Sequence, residues 1–139
     1  MKTIGLDAST TTVGYAFVED KKILGVGFIP IHKEKTVRDK VRVTMDTITT
    51  LDPFNDVDKI YIEDSLSGFS RGRTSQQTII KLAKFNAVLV YCLEFAYGEI
   101  VEGVNPMTAR KHLFGKARKQ GVTAKDFVKK EINCLYNLE

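Results

Sequence analysis

Three apolar, β-prone runs follow one another near residues 2 to 7, 12 to 19 and 22 to 31, separated only by Ala8 to Thr11 and by Asp20-Lys21. Connections this short join antiparallel neighbours and cannot make a parallel crossover, so the runs predict an antiparallel meander. Pro30 and the polar stretch from His32 to Lys35 end it. Val37, Val41, Met45, Ile48 and Leu51 then step by four, four, three and three, the stripe of an amphipathic helix that stops before Asp52-Pro53. A strand near 58 to 63 and another near 99 to 104 bracket a long helix from about Ser75 to Ala96, in which Ile79, Leu82, Ala83, Val90 and Leu93 recur at helical spacing. Three antiparallel strands followed by helix, strand, helix and strand predict an α/β fold: a mixed five-stranded sheet with helices on both faces.

Two of these strands end on a carboxylate. Ile4-Gly5-Leu6-Asp7 leads into the small and hydroxyl residues Ala8-Ser9-Thr10-Thr11, and Lys59-Ile60-Tyr61-Ile62-Glu63-Asp64 repeats the device later in the chain. An aspartate after a strand is commonly a turn former that bonds its own backbone. Glutamate is a poor turn former, which makes Glu63 harder to read as structural. Two carboxylates at strand ends, with the intervening chain free to fold back, are the minimum from which a divalent-metal site for phosphodiester chemistry begins.

The segments IGLDASTTTVGYAFVED and KIYIEDSLSGFSRGRTSQQTIIKLAKFNAVL resemble the RuvC family of Holliday-junction resolvases, within the ribonuclease H-like superfamily. Val101 to Lys111 is similar to that family's fifth strand and the short helix after it. The resemblance implies that Asp7 and Glu63 are catalytic metal ligands for Mg²⁺ or Mn²⁺, and that the long helix serves dimerisation. It implies a structure-selective endonuclease of DNA recombination and repair, whose substrate is a four-way junction and whose action leaves a 5′ phosphate. Aspartate-bearing hairpins of this kind also open the sugar-kinase and actin-type ATPases, but those need two such domains to enclose a nucleotide, so no nucleotide cofactor is expected of 139 residues. Small relatives of the YqgF type match in length, yet Ile62-Glu63-Asp64 and the basic loop behind it fit RuvC better.

The family completes its site with a late Asp-x-x-Asp, and residues 1–139 contain no such pair. The chain is therefore expected to be a single ribonuclease H-like domain that is either truncated before its last helix or has lost half its site, and to bind junctions better than it cuts them. Asp126 is no substitute: Thr123-Ala124-Lys125-Asp126 reads as a capping box. A non-catalytic junction-binding dimer is the alternative function.

Charge is unevenly distributed. The net charge is only +4, but Phe69 to Leu93 carries Arg71, Arg73, Lys81 and Lys84 with no acid. From Asn105 onward Arg110, Lys111, Lys116, Arg118, Lys119, Lys125, Lys129 and Lys130 outnumber Asp126, Glu131 and Glu139, with Lys111, Lys116, Arg118 and Lys119 expected to contact DNA. Charge runs are commonly solvated faces. Arg71 and Arg73 lie directly behind Glu63 in a Gly/Ser-rich loop, where phosphate contacts would position a strand over the metals. Phe69 in that loop either wedges between bases at a junction centre or anchors its own loop. The long helix is apolar well beyond one stripe, which implies a second buried face and a homodimer, with Ile80 and Leu89 expected at the interface.

His32 and His112 lack spacing partners and read as surface or helix-end residues. Cys92 and Cys134 lie outside any CxxC pattern and read as buried thiols of a reducing compartment. With no membrane span and no signal-peptide pattern at Met1-Lys2-Thr3, a cytoplasmic protein is expected, in the host cytoplasm if the gene is a phage's.

Overall fold

The computed structural model describes residues 1–64 and 75–137. Phe69, Arg71 and Arg73 lie outside the described residues. The strands β1 (Lys2–Ala8), β2 (Thr12–Glu19) and β3 (Lys22–Pro30) form the expected antiparallel meander. Asp20 and Lys21, at φ 45° and 67°, make the two-residue turn whose twist suits adjacent antiparallel strands. Helix α1 (Val37–Thr50) leads through a short 3₁₀ turn to β4 (Lys59–Glu63). After it come α2 (Gln76–Tyr97), β5 (Val101–Val104), α3 (Pro106–Phe114) and α4 (Ala124–Tyr136).

The sheet order is β3-β2-β1-β4-β5, antiparallel on the meander side and parallel from β1 through β4 to β5. A backbone clasp sets the register of the first parallel pair. Asp58 N–H donates to Lys2 O at 2.9 Å, and Lys2 N–H donates to the Asp58 carboxylate at 2.6 Å. Leu6 then lies level with Ile62.

One face of the sheet carries Ile4, Leu6, Ala8, Val13, Phe17, Ile29, Ile60 and Ile62, packed with Val41 and Ile48 of α1 and Phe85, Leu89 and Leu93 of α2. Alternation along a strand sends the intervening residues to the opposite face. There Leu24, Val26 and Phe28 of β3 are largely exposed. Gly27 is required on the packed face, since a methyl group at that position would collide with the Tyr15 ring.

Two expectations need correction. Leu89 is not on an outward face: it is 0% exposed in the sheet-facing row Phe85-Leu89-Leu93, because residues four apart share one side of a helix. The outward apolar positions of α2 are Ile80, Val88, Tyr91 and Phe95. Cys134 is exposed rather than buried, since α4 is anchored through Phe127, and Cys92 is half-buried. His32 and His112 are both exposed.

The caps follow the sequence closely. Thr36, Ser75 and Thr123 accept from the backbone N–H of Asp39, Thr78 and Asp126, and the Thr123 hydroxyl donates to the Asp126 carboxylate at 2.6 Å. Asp126 is therefore committed to the start of α4.

Candidate active site

Asp7 and Glu63 stand one residue beyond the paired Leu6 and Ile62, on neighbouring parallel strands. Leu6, Ala8, Ile60 and Ile62 face the core, so both carboxylates project from the opposite face at the same end of the sheet. Asp7 is exposed and Glu63 half-buried.

The two carboxylates lie close enough for Asp7 to act on Glu63 electrostatically. Burial, then the charge of Asp7, then hydrogen bonding with it raise the Glu63 carboxyl above the usual carboxylate range, while Arg110 pulls it partway back. Like charges brought together this way are a standing electrostatic cost that a bound cation would relieve.

Three local devices hold the pair in place. The turn after Asp7 is knotted by Ser9, whose hydroxyl accepts from Thr12 N–H at 3.0 Å and donates to Thr12 O at 2.8 Å. Beyond Glu63, Asp64 N–H donates to Val104 O at 2.9 Å, fastening the end of β4 to β5. At the end of β5, Asn105 caps α3 by accepting from Met107 N–H at 2.9 Å and Thr108 N–H at 3.3 Å. That cap starts α3 at the active end of the sheet and sets Arg110, one turn later, within electrostatic reach of Glu63 but outside ion-pair distance. The Arg110 guanidinium also donates to Pro106 O at 3.0 Å and Ala117 O at 3.5 Å, which limits how far it can swing.

Arg110 belongs to the C-terminal charge cluster but carries no motif of its own as a site residue. The signal for it was Asn105-Pro106, a cap and a first helical residue directly after a strand. Lys81, Lys84, Lys111, Lys116, Arg118 and Lys119 are all exposed, and none is brought within ion-pair distance of a carboxylate among the described residues. Lys116 lies over the Phe127 ring at 5.9 Å. Among the described residues, no third His, Cys, Asp or Glu joins the carboxylate pair.

No family model matches the chain. In sequence it is similar to the crossover junction endodeoxyribonuclease RuvC of Aliarcobacter butzleri, 29% identical over 128 residues that span 88% of this chain and 79% of that protein. The protein of the same name from Campylobacter hominis is 25% identical over 134 residues, 94% of this chain and 80% of the relative. In structure the chain is similar to Thermus thermophilus RuvC in complex with a Holliday junction substrate, with a TM-score of 0.73 at 20% identity, covering 100% of this chain and 81% of that one. It is also similar to the yeast mitochondrial Holliday junction resolvase Ydc2, with a TM-score of 0.57 at 15% identity over 96% of this chain and 64% of that one. The structural likenesses bear out the ribonuclease H-like fold expected from the motifs.

Proposed function

We propose that this RuvC-like protein is a structure-selective endonuclease that hydrolyses phosphodiester bonds in four-way DNA junctions, with Asp7 and Glu63 as carboxylate ligands of Mg²⁺ or Mn²⁺. One observation carries the reading: two carboxylates from parallel neighbours lie on the open face of the sheet, within reach of each other. Their donor set fits the ion, since all-oxygen ligands with room for water and phosphate suit Mg²⁺ and Mn²⁺. Such an ion supplies Lewis acidity at a phosphoryl oxygen and offsets charge on the leaving oxygen.

The protein's own groups do the rest. Arg110 acts on Glu63 electrostatically from α3, where a phosphate approaching the carboxylates would meet it, and its ties to Pro106 and Ala117 orient it in advance. Lys111, Lys116, Arg118 and Lys119 on one side, and Lys81 and Lys84 on α2, give the phosphate contacts that hold a branched substrate without reading its sequence. Phe69, Arg71 and Arg73, which follow β4 in sequence, would act as wedge and phosphate clamps. Such activity belongs to the compartment that holds the DNA, the cytoplasm, or the host's cytoplasm if the gene is a phage's.

A junction has paired strands to cut, and the outward face of α2 supports a second subunit. Tyr91 is 67% and Phe95 85% exposed, with Ile80 and Val88 on the same outward side. A row of exposed apolar residues along one helix is the surface a two-fold dimer would bury.

The test is to measure binding and cleavage of a four-way junction and a matched duplex in the same samples. Wild type is expected to bind the junction with strong salt dependence and to nick it only with Mg²⁺ or Mn²⁺ present. Asp7→Asn and Glu63→Gln should keep binding and lose nicking by two orders of magnitude or more, about 3 kcal/mol of transition-state stabilisation. A second reading, a non-catalytic junction-binding dimer, draws on no third His, Cys, Asp or Glu being placed to hold a metal with the carboxylate pair among the described residues. Tight binding with no nicking under any divalent cation would favour it.

A further inference from the structure

Lys40 stands in the first turns of α1, four residues after the N-cap Thr36. A cation near the positive end of a helix is disfavoured, and among the described residues no carboxylate lies at ion-pair distance from it. Its ammonium instead donates to two backbone carbonyls, Thr10 O and, at 3.2 Å, Ile31 O. Thr10 lies in the turn between β1 and β2, and Ile31 follows the end of β3.

The same two places are already in contact, since Ile31 N–H donates to Thr11 O at 2.9 Å. Lys40 thus gathers the turn after Asp7, the end of β3 and the start of α1 at one partly buried point. An apolar side chain in its place would take this donor from the Thr10 carbonyl, whereas Ile31 O would keep the Glu34 N–H at 3.2 Å.

We propose that Lys40 is a positioning residue for the cation site. By holding the Thr10 carbonyl against the end of β3, it fixes the β1–β2 turn and with it the end of β1, so that the Asp7 carboxylate stays level with Glu63. The proposal rests on Asp7 and Glu63 being the cation ligands. Its sign separates it from a purely electrostatic role. Were Lys40 to act through its charge, removing it would strengthen cation binding, whereas releasing the turn weakens it.

The experiment is a calorimetric titration of the full chain with Mn²⁺, for wild type, Lys40→Met, Lys40→Gln, Lys40→Arg and Asp7→Asn, at a temperature where circular dichroism shows each variant folded. Amide resonances of Ser9 to Thr12 are recorded alongside. Lys40→Met and Lys40→Gln are expected to bind Mn²⁺ about tenfold more weakly and to shift or broaden those amides, as is usual when a ligand's support is removed. Lys40→Arg should recover affinity to within about twofold, because guanidinium keeps the donors.

Unchanged or tighter Mn²⁺ binding by Lys40→Met, with the turn amides undisturbed, would overturn the proposal. So would loss of the whole fold in both Lys40→Met and Lys40→Gln, because Lys40 would then hold the domain and not the turn. Failure of wild type to bind Mn²⁺ at all would instead overturn the ligand assignment beneath it.

Discussion

On the helix-covered face of the sheet, β1 and β4 present Ile4, Leu6, Ala8, Ile60 and Ile62; one residue along, the same strands present Gly5, Asp7, Tyr61 and Glu63 to the other face. Stability and chemistry are thereby assigned to opposite parities of the same two strands. A register slip of one residue would bury the carboxylates and expose the core, so the packing that holds the fold also fixes which face can hold a cation. Helix α2 is divided in the same manner, with Phe85, Leu89 and Leu93 inward and Ile80, Val88, Tyr91 and Phe95 outward.

The division on α2 gives the largest effect. Leu89→Glu should abolish folding, because it forces a charge into a packed core at a cost of several kcal/mol. Phe95→Glu changes a side chain that is 85% exposed and should leave the monomer intact while dissociating the proposed dimer in sedimentation. A monomeric wild type at tens of micromolar would remove the reason for the outward stripe.

The sheet faces are broken next. Leu6→Ala opens a cavity beneath β1 and should lower stability by about 2–5 kcal/mol in denaturant unfolding. A loss below about 1 kcal/mol would mean that the covered face is less well packed than its burial implies. Thr123→Ala removes the cap of α4 and should cost about 1 kcal/mol, read as a lower midpoint with Mn²⁺ binding at the proposed site unaffected.

The smallest expected effect runs in the opposite direction. Folding raises the proton affinity of Glu63, so between the ordinary carboxyl range and the raised one the native state binds more protons than the unfolded chain. Stability therefore falls as pH rises through that window. Glu63→Gln should remove this slope and, without divalent cation, raise the melting temperature at pH 7 by about 1–2 °C. Unaltered pH dependence in this variant would mean that neither burial nor the Asp7 charge raises the Glu63 carboxyl in solution.

Much of this could be read from the sequence because the informative patterns are local. The short turns at Ala8 to Thr11 and Asp20-Lys21 dictate the meander, and apolar runs ending on Asp7 and Glu63 mark the strand ends that meet. Thr123 and Asp126 identify their own cap. Leu89 was misassigned because α2 is apolar nearly all round. Helical periodicity offers the rows Ile79-Ala83-Val90 and Phe85-Leu89-Leu93 alike, and only the sheet decides between them. Lys40 was hidden for another reason: its partners are backbone carbonyls brought near by tertiary structure, and these have no signature in residue type. Arg110 was visible as a charge, but its approach to Glu63 depends on where the Asn105 cap starts α3.

The central claim is that Asp7 and Glu63 share a divalent cation, and crystals soaked in Mn²⁺ test it most directly. An anomalous difference peak is expected between the two carboxylates, with oxygen–metal distances of about 2.1–2.2 Å, and it should vanish in Asp7→Asn. A fully occupied Mn²⁺ bound elsewhere on the protein, with the space between Asp7 and Glu63 empty, would contradict the account.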